Sequence, residues 1–399
     1  SNALDGTDFE LVNSGSLTID LGSTVYGDVL VANSDDVEVL RVRLNAADDE
    51  LQVKDLYFDN EGLDSNAIEN RVDFKLYNEA GQLIQQKQMT GGSLHFELAN
   101  QDRITVPKDE STYVTVKVDV RDINRADQTG KRLQLDLDTT MPTSGTSALS
   151  GVEAVTAATG SDLATANITE NSVTGQVFVA YRTQIMVDHA ASQNFSGTPS
   201  AESQEVYRFT VTTDAARQAE IGRLNFSVSL SGMDYDGANT FAVYPVEDDG
   251  NVDTSVTVAT TTIFENSEAA PATSDATEDG DTTANVFVTF VNQKLSAGDS
   301  KTYALFVDKT SDAGNIADDD AVSVSVKTDD GYLAPAVRST QQGTVTGGDC
   351  SYKAAGSAVA VTNCVVWSDE SSTSHNDDTL DWLNGYLLDI DTAVHINSD

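Results

Sequence analysis

Val37-Glu-Val-Leu-Arg-Val-Arg-Leu44, Tyr113-Val-Thr-Val-Lys-Val-Asp-Val120 and Leu133-Gln-Leu-Asp-Leu137 alternate apolar with polar side chains. A period of two puts successive side chains on opposite faces of an extended chain, the signature of a half-buried strand. Working outward, such runs are bounded by Asp59-Asn-Glu-Gly62, Asp248-Asp-Gly-Asn251 and Asp329-Asp-Gly331. Asp, Asn and Gly favour turns because their side chains cap local backbone groups or tolerate positive φ. No apolar pattern with helical period runs beyond two turns. Short strands, turns and no alternating helices predict an all-β fold of antiparallel sandwiches.

The strands recur. Leu40-Arg-Val-Arg-Leu44 parallels Tyr207-Arg-Phe-Thr-Val211 at an offset of 167, Phe58 parallels Phe226 at 168, and Tyr77 parallels Tyr244 at 167. The offset then rises: Ser111-Thr-Tyr113 matches Lys301-Thr-Tyr303 at 190, and Leu133–Leu137 matches Val322–Val326 at 189. The difference requires an insertion in the second copy, and the acidic, apolar-poor stretch 266–285 supplies it as a surface loop. A unit this long is a domain and not a solenoid turn. The expectation is two tandem Ig-like antiparallel β-sandwich domains, 4–182 and 183–399, after an expression scar at 1–3. The first strand of the second copy, Ile185-Met-Val-Asp188, parallels Leu17-Thr-Ile-Asp20.

Charge excludes several partners. The chain has 399 residues and a formal net charge of −41, so it repels nucleic-acid phosphate and anionic lipid. No apolar run reaches the ~18 residues that would span a bilayer as a helix, so direct membrane insertion is not expected. Of the 64 acidic residues 46 are Asp, which serve both as turn formers and as oxygen ligands for hard cations. Three Asp/Asn-rich loops are candidate calcium sites: Asp59, Asn60 and Asp64; Asp234, Asp236 and Asn239; and Asp312, Asn315, Asp318 and Asp320. None completes an EF-hand loop, and turn chemistry alone accounts for the same residues.

The two cysteines, Cys350 and Cys364, fit a disulfide and an oxidising compartment. No nucleophile elbow, HExxH, Walker loop or dinucleotide fingerprint is present. His95, His189, His375 and His395 share no spacing and read as surface residues. His95, within the alternating run Leu94–Leu98, is expected to point outward. Paired carboxylates carry no weight in so acidic a chain. No catalytic residue and no cofactor other than calcium is therefore assigned.

The segment 365–388, Val365-Val-Trp-Ser-Asp-Glu … Asp381-Trp-Leu-Asn-Gly-Tyr-Leu-Leu388, resembles a V-W-S-D … D-W-x-N-G-Y-L signature of exported Ig-like repeat proteins of candidate-phyla-radiation bacteria, surface-layer-like envelope proteins. The strand Thr302-Tyr303 … Val307-Asp308 and the junction Phe178-Val-Ala-Tyr-Arg-Thr183 are similar to repeats in those chains. The resemblance implies a cell-surface location and a structural role, with no catalytic residues to carry over. Trp367 and Trp382 are expected in a closing strand pair on the second core. The function expected is a non-enzymatic extracellular spacer or lattice module that associates with itself, other envelope proteins or glycans. The alternatives are an adhesin-type binding module for carbohydrate or protein, with Tyr235 and Tyr332 as candidate exposed loop tips, and accessory domains of a secreted hydrolase.

Overall fold

The structure is a computed structural model, and it describes residues 15–60, 68–141, 150–191, 204–231, 241–265, 283–307, 321–329, 331–342 and 363–398. Strand makes up 53% of it and helix 3%, so the chain is all-β. The chain splits into two compact units, one of residues 1–121 and 131–179, the other of residues 122–130 and 180–399. The short stretch 122–130, which the sequence reading placed in the first domain, belongs to the second unit.

In the first unit a six-stranded sheet runs, in spatial order, Ile168–Asn171, Ser16–Leu21, Val37–Ala47, Ser111–Val120, Val72–Asn78 and Leu83–Lys87. The second sheet is organised around Leu51–Asn60, which pairs with Leu135–Leu137 and Val152–Thr156, and also with Ser93–Glu97 and Ile104–Val106. Ile104–Val106 packs against Val37–Ala47 and Ser111–Val120 of the first sheet. The alternation seen in sequence does what it predicts: Leu40, Val42 and Leu44 are buried, as are Val114, Val116 and Val118, while Arg43 reaches out to Asp20 at 2.7 Å.

The second unit repeats this order. Ile185–His189, Gln204–Thr213, Ser300–Val307 and Phe241–Pro245 form one sheet, in that spatial order. The other runs Ala259–Glu265, Thr283–Leu295, Ala219–Ser231, Ala321–Val326 and His395–Ser398, with Val366–Ser368 also on Ala219–Ser231 and Trp382–Asn384 on Val366–Ser368. Aromatic rings join the two faces: Phe209 lies 5.2 Å from Phe226, and Tyr303 lies 5.3 Å from Phe290.

Two expectations change. The pairing is not wholly antiparallel, because Ser16–Leu21 pairs in parallel with Ile168–Asn171, and Val187 makes a parallel bridge to Ile390. In each unit a late segment thus closes onto the first strand. The match of Tyr113 with Tyr303 is also one residue out of register. Val114 opposes Val42, and Tyr303 opposes Phe209, so the structural offset there is 189, as it is for the next matched strand. A one-residue slip exchanges the faces of a strand: Tyr303 is in the core, whereas Tyr113 lies at the surface under Arg41. Tyr77 and Tyr244 are equivalent, opposite Thr115 and Ala304.

Candidate functional site

A polar cluster among the described residues of the second unit grows from an irregularity in one strand. Along Ala219–Ser231 the register slips between Ile221 and Arg223: Gly222 is the extra residue against Val366–Ser368, while on the other side residues 290–292 of Thr283–Leu295 lie opposite it. A Cβ on Gly222 would lie 2.9 Å from Trp382 Cζ3 and 3.1 Å from the Val366 carbonyl oxygen. Only glycine leaves room there for the indole. Val366–Ser368 and Trp382–Asn384 form the expected antiparallel pair, and both tryptophans are fully buried. Trp367 Nε1 donates to Asn384 O at 3.1 Å, and Trp382 Nε1 donates to Asn376 O at 3.0 Å, so neither indole N–H is stranded.

The loop between these strands folds back over the bulge and carries charge into the interior. His375 donates from Nδ1 to Asp381 at 3.0 Å and from Nε2 to Glu220 at 3.1 Å. Both ring nitrogens face carboxylates, so the ring is an imidazolium. Burial opposes that charge, but the hydrogen bonds the ring donates to Asp381 and Glu220 outweigh it and raise the pKa to about 9. Burial likewise pushes against ionised Glu220 and Asp381, and the His375 contact holds both below the usual carboxylate range. Lys294 bridges Glu370 at 2.7 Å and Glu220 at 3.4 Å. Arg338 bonds Asp377 at 3.0 Å and lies 4.8 Å over the Trp382 ring.

Two further acids pin the segment by backbone contacts. Asp369, fully buried, accepts from Thr129 Oγ1 and from the backbone N–H groups of Arg182 and Ser371, while burial raises its pKa. Asp329 accepts backbone N–H groups from Cys364, Val365 and Gly385 at 2.9, 3.1 and 2.9 Å. Burial nevertheless lifts it to about 6. Arg223 donates to the carbonyls of Gln342 and Asn363, and burial lowers it to about 10. Beside the cluster is a cleft of about 570 Å³ lined by Lys294, Glu370, His375 and Ser371–Ser374.

As a nucleophilic relay the cluster is closed. Ser368, His375 and Asp381 are near one another, but Ser368 Oγ (3.4 Å) and Asp381 (3.0 Å) meet the same nitrogen, Nδ1. A nucleophilic relay needs the serine and the acid on opposite nitrogens and a neutral ring. Ser368 is also fully buried. Glu220, Glu370 and His375 each present a donor atom within 4.8 Å of the others, the one grouping of this kind among the described residues.

The histidines correct the sequence reading. His375 is half-buried as a residue, its side chain 7% exposed, because Asp381 and Glu220 supply the charge that carries the ring inside. His95 is half-exposed on its strand, bonded to Asp55 at 2.7 Å and stacked 4.1 Å from Tyr57. The side chain of His395 lies outside the described residues. Of the candidate calcium ligands, Asp59 and Asn60 end the strand Leu51–Asn60 and are not in a turn. Asn60 Oδ1 accepts the Gln134 backbone N–H at 2.9 Å, so its oxygen is committed to a strand end. Asp64, Asp234, Asp236, Asn239, Asp312, Asn315, Asp318 and Asp320 lie outside the described residues, as do Cys350 and Tyr235. Cys364 is buried. Tyr332 is not an exposed tip: its hydroxyl donates to Gly130 O, and its ring meets Tyr386 edge-on at 6.1 Å. Glu220 and Glu370 were not singled out from sequence, since two glutamates 150 residues apart carry no local signal.

No family model matches the chain, and no curated protein matches it. Among solved structures it is similar to the C-terminal domain of the Streptococcus agalactiae AgI/II polypeptide BspA, at 11% identity and TM-score 0.19, covering 78% of this chain and 95% of that one. It is similar also to the C-terminal domain of the Streptococcus pyogenes antigen I/II-family protein AspA, at 11% identity and TM-score 0.18, covering 79% and 95%. The Corynebacterium diphtheriae major pilin SpaA aligns at 10% identity and TM-score 0.21, covering 88% and 69%. No helix among the described residues is long and apolar enough to cross a membrane.

Proposed function

We propose that the chain is a non-enzymatic extracellular structural module, a tandem pair of sandwiches acting as spacer or lattice unit of a cell envelope. One observation carries this reading. The same strand order occurs in both units, and the charged cluster around His375 is consumed in clamping the chain to its own sheet. A catalytic site keeps a reactive group uncommitted; here His375, Lys294, Glu220 and Asp381 satisfy one another.

The acidic loops and the cysteines belong to the same proposal. Calcium held by the Asp-rich loops would relieve self-repulsion in a chain of net charge −41 and link neighbouring copies. A Cys350–Cys364 disulfide suits an oxidising exterior; thiol titration of denatured, unreduced protein is expected to find no free thiol. Sedimentation velocity with and without calcium tests the lattice role. Concentration-dependent growth that calcium promotes and matched sodium or magnesium does not is the expected result. A strict monomer in every salt, particularly one captured by immobilised glycan, overturns the lattice role in favour of an adhesin.

A further inference from the structure

The lock built by Glu220, Glu370 and His375 has the donor set of a metal site. One imidazole nitrogen and two carboxylates converge within 4.8 Å, and a set of three protein ligands with one side open is what a borderline divalent cation such as Zn²⁺ takes. His375 is oriented as a metal-binding histidine would be. Asp381, with no exposed surface, holds Nδ1 at 3.0 Å and leaves Nε2 to Glu220 at 3.1 Å. A carboxylate on the far ring nitrogen fixes the ring and raises its basicity.

The open side is the cleft, which Glu370, His375 and Lys294 line. Ser371, next to Glu370 and 1% exposed, is turned to the Asp369 carboxylate and so does not compete for that side.

The two carboxylates are held now by the His375 proton, by Lys294, by Gln218, which donates to Glu370, and by the buried Arg338 guanidinium 3.9 Å from Glu220. The Lys294 ammonium lies 2.7 Å from Glu370 and 3.4 Å from Glu220, on a side chain 53% exposed. The half-exposed lysine can swing into solvent, but Glu220 and Glu370 are each 4% exposed, so it leaves only as an incoming cation takes over the charge of those buried carboxylates. We propose that Glu220, Glu370 and His375 form an exchangeable site for a borderline divalent cation of the Zn²⁺ class, entered through the cleft as Lys294 swings out. The exchange balances. Zn²⁺ brings two positive charges; the proton on Nε2 leaves to solvent, and the ammonium withdraws the second. This site is separate from the acidic calcium loops and stands whether or not the lattice role does.

The test is calorimetric titration of Zn²⁺ into the whole chain, in excess calcium to saturate the acidic surface. One equivalent is expected to bind above that background. Lys294→Met, which removes the competing ammonium and touches only a half-exposed position, is expected to tighten binding about tenfold or more. Glu370→Gln is expected to weaken it at least about tenfold, the scale on which loss of a metal-supporting group is felt. Near-UV circular dichroism of the two buried tryptophans checks that each variant is folded. No stoichiometric uptake by the wild type, or uptake that Lys294→Met leaves unchanged, overturns the site.

Discussion

The two units share a strand order and share its flaw, and they use the flaw differently. In the first unit the register slips where Glu153 opposes Asp55 and Ala154 opposes Val53, leaving Lys54 as the extra residue. In the second the slip falls where Val366 opposes Arg223 and Trp367 opposes Ile221, leaving Gly222. Lys54 sends its amine outward to Glu153 and Asp162, at 2.8 and 2.9 Å. Gly222 sends nothing and admits Trp382. Ala154 in one strand corresponds to Trp367 in the other. One bulge is thus a surface ion-pair site in the first unit and the socket of a buried tryptophan clamp in the second. A bulge fixes where the sheet is interrupted; the residue placed in it decides what the interruption is for.

Exchanging the two residues breaks the comparison with the largest effect. Gly222→Lys drives a side chain into Trp382 and the Val366 carbonyl, and is expected to cost about 3 kcal/mol or more, the scale of displacing a large aromatic from a core. Lys54→Gly removes partly exposed ion pairs and adds backbone entropy, for about 1 kcal/mol. Both tryptophans lie in the second unit, so their fluorescence reports its unfolding in denaturant. A similar loss from both substitutions would show that the bulge matters and its occupant does not.

The alternation in Val37–Leu44 and Tyr113–Val120 was enough to give the strands, the fold class and most of the repeat, because burial of one face writes a period of two directly into the chain. The Thr-Tyr match misled by one residue, since identical letters at 113 and 303 fall on opposite faces; facing partners settle register, and those are not local in sequence. The charged clamp was illegible for the same reason. Glu220, Lys294 and His375 come from three distant segments, and a histidine in a polar run, Ser374-His-Asn376, looks solvated until Asp381 and Glu220 are placed around it. The tryptophans were legible because two large apolar side chains in a polar segment have to be buried somewhere.

The clamp sharpens the comparison through pH, with an effect of similar or smaller size. His375 has its pKa raised from 6.5 to about 9 in the folded chain. Its contribution is therefore complete below about pH 6.5, the unfolded value, and is lost as pH rises through about 9. The shift corresponds to about 3 kcal/mol at most. Urea melts followed by tryptophan fluorescence are expected to show the second unit losing stability between about pH 6.5 and about pH 9, the unfolded and folded values for His375. His375→Gln should flatten that slope and lower stability at neutral pH. A wild-type slope unchanged by His375→Gln would assign the alkaline loss elsewhere.

The smallest expected effect is at the one place where the first unit has a histidine–carboxylate pair of its own. His95 bonds Asp55 at 2.7 Å with its side chain 39% exposed, whereas His375 is 7% exposed between two carboxylates. Solvent screens the first pair, and exposed pairs contribute roughly 0–1 kcal/mol. His95 also stacks on Tyr57 at 4.1 Å, a contact that survives replacement by another flat ring. His95→Phe is therefore expected to change stability by less than about 1 kcal/mol, and His95→Ala by about 1 kcal/mol through the lost stack. Hydrogen exchange at Leu56 and Phe58, on the same strand and fully buried, localises the effect to the first unit. A loss from His95→Phe as large as that from His375→Gln would mean that the carboxylate contact, and not its burial, sets the value of a histidine in these sheets.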